Sequence, residues 1–180
     1  MRDLAHLEPG FRAMVDKALQ LLKDRGLDVL VTCTYRSWEE QAAEFAKGRT
    51  KPGEPCRCGK HLNPVGTCSK HPRGLKATNA RPGQSWHQWG RALDFVPRRN
   101  GKTLVWGTCG NGIDQDPTDD DVDDLELWQR CAACFKEAGL SWAGDWVSFR
   151  EYPHVEHRGP WTIHALLAKY PKGLKPGEFV

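Results

Sequence analysis

No stretch of these 180 residues approaches the run of about 20 apolar positions that spans a membrane. The opening segment, MRDLAHLEPGFRAMV, has no apolar core of the signal-peptide kind. These two absences predict a protein that starts in the cytoplasm, leaves it only by a route other than a signal peptide, and keeps no stable membrane association. One-sided charge is missing as well. Lys and Arg number 26 against 23 Asp and Glu, a formal net charge of +3, which suits an anionic polymer without calling for nucleic acid. No RNP-like segment, zinc-finger helix or basic stripe is present, so a nucleic-acid partner is not expected. Tyr and Met are scarce at three and two, and no internal repeat appears.

What is there is a chain of one-domain size, 39% hydrophobic and 27% charged, the balance of a globular protein with a sizeable core. Trp is plentiful at eight, and Trp86, Trp89, Trp142 and Trp146 flank the segments singled out below. Phe11, Met14, Val15, Ala18, Leu21 and Leu22 recur at helical spacing and stop at Gly26. LDVLVTCTY then reads as a buried strand. Ser37 and Glu40 form a capping box that opens a helix closed by Gly48, which leaves Arg36 at a strand-to-helix corner. RALDFV and YPHVEH read as strands, Leu125–Gly139 as a helix, and Pro160 as the start of a terminal helix. The expected fold is α+β: a small antiparallel sheet with flanking helices in a single domain over residues 1–180.

Two segments stand outside that pattern. The insert at about 50–82 turns to Gly, Pro, Lys, Cys and His, too long for an ordinary loop. Cys56, Cys58, Cys68 and His71, with His61 as a substitute, would suit a second, structural zinc. The other reading is a mobile loop with free thiols. The acidic loop at about 107–124 places Asp114, Asp116, Thr118 and Asp120 at alternate positions, like the start of a calcium loop. It lacks the glycine and the closing glutamate of an EF-hand, so a solvated acidic loop is favoured over Ca2+ binding. Cys131 and Cys134 read as helix core rather than a redox pair.

The chemistry converges on SWHQWGRALDF, where Asp94 sits between Leu93 and Phe95. A carboxylate is seldom buried without a partner or a metal. In a strand, Asp94 projects opposite to its two apolar neighbours, and Gly90 lets the chain turn so that His87 and Asp94 face one point. Further on, EYPHVEH places Glu151 three positions before His154. Two histidines and one carboxylate make a catalytic zinc set with the fourth position left for water. Glu151 would be the general base beside the metal.

In this order and with these flanks, SWHQWGRALDF resembles the Ser-x-His-x6-Asp motif of the zinc peptidases that include D-alanyl-D-alanine carboxypeptidases, a LAS-type, Hedgehog-like fold. EYPHVEH resembles their acidic-x-x-His motif. TYRSWEEQAAEFAKGRTKPG, TNARPGQSWHQWGRALDF and AGLSWAGDWVSFREYPHVE are similar to the L-alanyl-D-glutamate endopeptidases of bacteriophage endolysins and related wall enzymes. The resemblance implies zinc on His87, Asp94 and His154, with Glu151 as base. It further implies that Arg36 holds the carbonyl oxygen or a substrate carboxylate, that Ser85 bonds the peptide, and that Gln41 contributes to the substrate site by steadying Arg36. The chain departs from the pattern in having Glu151 where the endolysin branch often has Asp, and in its Cys-rich insert. The expectation is a zinc endopeptidase acting on peptidoglycan, a bacteriolytic phage enzyme, monomeric, held in the host cytoplasm until released to the wall. A D-Ala-D-Ala carboxypeptidase or dipeptidase and a non-catalytic zinc-binding module remain the alternatives.

Overall fold

The computed structural model describes residues 2–46, 54–55, 62–63, 78–107 and 124–179. The Cys56, Cys58, Cys68 and His71 set and the Asp114–Asp120 stretch therefore lie outside the described residues, as does Gly48.

After a short 3-10 turn at Leu4–His6, α1 runs Pro9–Asp24. Glu8 caps it by accepting from Gly10 N and Phe11 N, Pro9 supplies its first residue, and Gly26 stops it at φ +64°. Strand β1 is Val29–Cys33 and α2 is Trp38–Ala46. The Ser37–Glu40 capping box forms as read: Ser37 N donates to Glu40 Oε2 at 2.7 Å, and Glu40 N to Ser37 Oγ at 3.1 Å. Two short strands, β2 (Glu54–Pro55) and β3 (Leu62–Asn63), pair antiparallel. A 3-10 helix at Trp86–Trp89 leads into β4, Ala92–Arg99. Asn100 and Gly101, both at positive φ, turn the chain into β5, Thr103–Leu104. Helix α3 (Leu125–Glu137) is capped by Asp124, whose Oδ1 accepts from Leu127 N. Strand β6 (Ser141–Trp142), a 3-10 turn (Ala143–Asp145), β7 (His154–Glu156) and α4 (Ile163–Lys169) complete the chain.

All strand pairs are antiparallel, and the main sheet runs β1-β4-β7-β6 with β5 on the far end of β4. The α+β expectation holds, with two corrections. LDVLVTCTY is an edge strand, and each residue of Val29–Cys33 is only half-buried. The terminal helix starts at Ile163 rather than Pro160, because Thr162 accepts from Ala165 N and so caps it three residues later.

Alternation along β4 separates the two faces of the sheet. Leu93 and Phe95 join the larger core, where α1 and α3 contribute Phe11, Val15, Leu22, Trp128 and Phe135. Phe95 stacks on Phe135 with ring centroids 4.6 Å apart. On the other face Ala92 packs with Trp86, Trp89 and Leu166 in a smaller cluster. Cys131 and Cys134 are buried and unpaired within α3, as their helical positions suggested. Burial, together with Cys134, pushes the Cys131 thiol up to about 12. Among the described residues no helix is long and apolar enough to cross a membrane.

Candidate metal centre

Strand register assembles the centre. Asp94 of β4 pairs with His154 of β7 on one side and Cys33 of β1 on the other, so these three residues form one cross-sheet row. A bulge between Val31 and Cys33 brings the thiol onto that row. His87 enters from the 3-10 helix. Gly90, at φ +63°, ends that helix and turns the chain into β4. A Cβ at Gly90 would lie 2.6 Å from Phe179 Cε1 and 2.9 Å from Glu8 N, so the turn requires glycine.

The row and the helix converge on one point. His87 Nε2 lies 3.1 Å from Asp94 Oδ1 and 3.2 Å from His154 Nδ1, and His154 Nδ1 lies 3.2 Å from Asp94 Oδ1. Ligands about 2.0–2.1 Å from a tetrahedral zinc are about 3.3 Å apart. The three donors therefore fit one face of such a site. Each histidine is oriented by its other nitrogen. His87 Nδ1 is 2.6 Å from the Thr34 carbonyl oxygen, which can only accept, so Nδ1 carries a proton and Nε2 is the nitrogen turned toward the centre. His154 Nε2 is 3.0 Å from Glu156 Oε2, and Glu156 Oε1 in turn accepts from Arg158 Nε at 2.6 Å.

The electrostatics point the same way. Burial alone would depress both histidines. The Asp94 carboxylate more than offsets it, holding His87 up at about 10 and His154, with help from Glu156, at about 9. Asp94, which burial would raise, is held far below the ordinary carboxylate range by the two imidazoles. Such a buried carboxylate demands positive charge beside it, which two protons or one divalent cation can supply.

Cys33 completes the surroundings: donor atoms of Cys33, His87 and Asp94 lie within 4.8 Å of one another. The His87–Asp94–His154 set is tighter, so Cys33 is a neighbour of the centre. Burial raises its thiol, but His87 and Arg36 outweigh that and leave it below its ordinary value. Arg36 Nη2 is 3.4 Å from Cys33 Sγ and 3.7 Å from Asp94 Oδ2, and Nη1 donates to Gln41 Oε1 at 3.0 Å. Gln41 is fully buried and also donates to the Ala80 carbonyl at 2.8 Å. It therefore sits beneath Arg36, out of reach of a substrate.

A cleft of about 260 Å³ opens over the centre, lined by Arg36, Ser85, His87, Trp146, Glu151, His154 and Arg158 among others. Burial, foremost, lifts the Glu151 carboxyl above its ordinary value against the pull of His154. Its carboxylate makes no hydrogen bond among the described residues. The sequence reading missed Cys33, the Thr34 carbonyl, Glu156 and Arg158. Glu156 was legible in principle, since it lies two residues beyond His154 on the same strand face.

A family model described as D-alanyl-D-alanine carboxypeptidase matches residues 78–157, the span that holds His87, Asp94, Glu151 and His154. The chain is 27% identical over 150 residues to the peptidoglycan L-alanyl-D-glutamate endopeptidase CwlK of Bacillus subtilis, covering 83% of this chain and 72% of that one. It is 25% identical over 145 residues to the L-alanyl-D-glutamate peptidase of Listeria phage A118, covering 81% of this chain and 36% of the phage protein. Among solved structures, the L-Ala D-Glu endopeptidase ChiX of Serratia marcescens overlays 93% of this chain and 86% of its own, at 16% identity and a TM-score of 0.49. Residues 78–157 of the chain thus resemble the D-alanyl-D-alanine carboxypeptidase family of peptidases.

Proposed function

We propose that the protein is a zinc-dependent peptidoglycan endopeptidase that hydrolyses the L-alanyl-D-glutamate bond of the stem peptide. The observation that carries this is the closure of His87 Nε2, Asp94 Oδ1 and His154 Nδ1 to 3.1–3.2 Å in a cleft also lined by Glu151. The two relatives whose names state that activity support the choice of bond. His87, Asp94 and His154 would hold the zinc, which when bound polarises a carbonyl and acidifies water.

The chain's own groups divide the remaining work. Glu151, raised by burial, accepts a proton from the attacking water as its oxygen adds to the alanyl carbonyl carbon. It returns that proton to the glutamate nitrogen as the C–N bond breaks. Arg36, held by Gln41, stands where negative charge builds on the carbonyl oxygen. Ser85, at the cleft wall, orients the peptide backbone. The enzyme acts as a bacteriolytic, phage-type lysin on the wall, as a monomer.

Mass spectrometry of purified peptidoglycan digested with zinc-loaded protein tests this, with Glu151→Gln as control. New L-Ala and D-Glu termini, absent with Glu151→Gln, are expected. Release of only terminal D-Ala would move the assignment to a carboxypeptidase, and no cleavage at all to a zinc-binding module.

A further inference from the structure

Among the described residues two guanidinium groups face the cleft, and they are differently employed. Arg36 is committed: Gln41, Cys33 and Asp94 occupy its two terminal nitrogens, and only 17% of its side chain is exposed. Arg158 uses only Nε, 2.6 Å from the buried Glu156 carboxylate. Its Nη1 and Nη2 make no hydrogen bond or ion pair with any described residue, and 61% of its side chain is exposed. The guanidinium carbon lies 6.0 Å from the centroid of the Trp86 ring. Pinned at Nε and laid over an aromatic ring, Arg158 has already lost much of the freedom of its long stem. It keeps an open two-donor fork of the kind that matches a carboxylate.

The bond assigned above carries such a group beside it. D-Glutamate continues the stem through its γ-carboxyl, so its α-carboxylate is free on the leaving-amine side of the scissile amide. We propose that Arg158 recognises this α-carboxylate and makes the enzyme discriminate against stems in which it is an α-carboxamide. This rests on the endopeptidase reading, and it leaves Arg36 to the reacting oxygen. A carboxamide carries no charge and turns an NH2 group toward one of the two cationic donors. It therefore forfeits one arm of the bidentate contact and the charge assistance of the other.

Two synthetic stem peptides, one with D-glutamate and one with D-isoglutamine, test the proposal. Wild-type protein, Arg158→Gln and Arg158→Lys are compared after matching zinc content. The wild type is expected to favour the carboxylate by about tenfold to hundredfold in kcat/KM, the weight of a charge-assisted contact. Arg158→Gln should erase that ratio by raising KM for the D-glutamate peptide alone, and Arg158→Lys should restore part of it. Calorimetric binding of both peptides to the Glu151→Gln protein should give the same ranking without turnover. An indifferent wild type, a ratio that survives in Arg158→Gln, or an Arg158→Gln protein that no longer holds zinc overturns the role of Arg158 and leaves the endopeptidase intact. A wild type that cuts neither peptide between L-Ala and the next residue overturns both.

Discussion

Two glutamates stand near His154 and do different things. Glu156 is almost fully buried, bonded to the histidine on one oxygen and to Arg158 on the other, and the two partners outweigh burial to keep it ionised. Glu151 has no such partner, and burial lifts it. Neutralising each should therefore separate two functions. Glu156→Gln is expected to weaken zinc binding about tenfold to hundredfold, the usual cost of losing a histidine's outer partner. Glu151→Gln should retain zinc affinity within a small factor while cleavage falls by at least about a hundredfold. Competition against a chromophoric chelator, beside a cleavage assay, measures both. Equal metal affinities in the two variants would contradict this division. The sequence made the inner residues legible because His87, Asp94, Glu151 and His154 occur in two short motifs. Cys33 and the Thr34 carbonyl were not, because their places depend on strand register and on a bulge, which no local pattern encodes.

At the scale of elements, what was legible is what local chemistry decides. The α1 stripe, the Ser37–Glu40 box and the alternation of β4 all form where their residues predict. What failed was governed by neighbours. The apolar, β-branched run of β1 looks like an interior strand, yet its half-burial follows from its place at the sheet edge. Pro160 is compatible with a helix start, but Thr162 supplies the better cap. Gly90 is the hinge between the 3-10 helix and β4, and it tests how strictly the site depends on one turn. Gly90→Ala combines a left-handed backbone with a clash against Glu8 N and the Phe179 ring. It should cost about 2 kcal/mol or more in denaturant unfolding, and lower metal affinity as well, because His87 sits three residues before it. An unchanged midpoint would show that the turn can re-form without glycine.

For the molecule as a whole, the donors join β4, β7 and the 3-10 helix, so a bound ion would bear on global stability. At a hundredfold excess over its Kd, zinc should stabilise the native state by about 2.7 kcal/mol. The effect should depend on pH in a definite direction. In the metal-free protein His87 and His154 are held up at about 10 and about 9. The stability they contribute is fully present below the ordinary histidine value of about 6.5 and is lost as pH rises through the raised values. Those protons also compete with the ion. The rise in Tm on adding zinc should therefore widen between about pH 6.5 and about pH 8.5, as scanning calorimetry with and without chelator would show. A rise that shrinks over that interval would contradict the exchange of protons for metal.

Strand order carries a consequence for synthesis. β7 is the last strand among the described residues, yet it lies inside the sheet, between β4 and β6. His87 and Asp94 are thus made first, and the third donor follows Asp94 only after 60 residues. A chain still emerging from the ribosome, or cut before residue 154, holds two donors and an unfilled slot along β4. Metal capture is in this way deferred until His154 has been made, and the order of translation itself delays the assembly of the three-donor set.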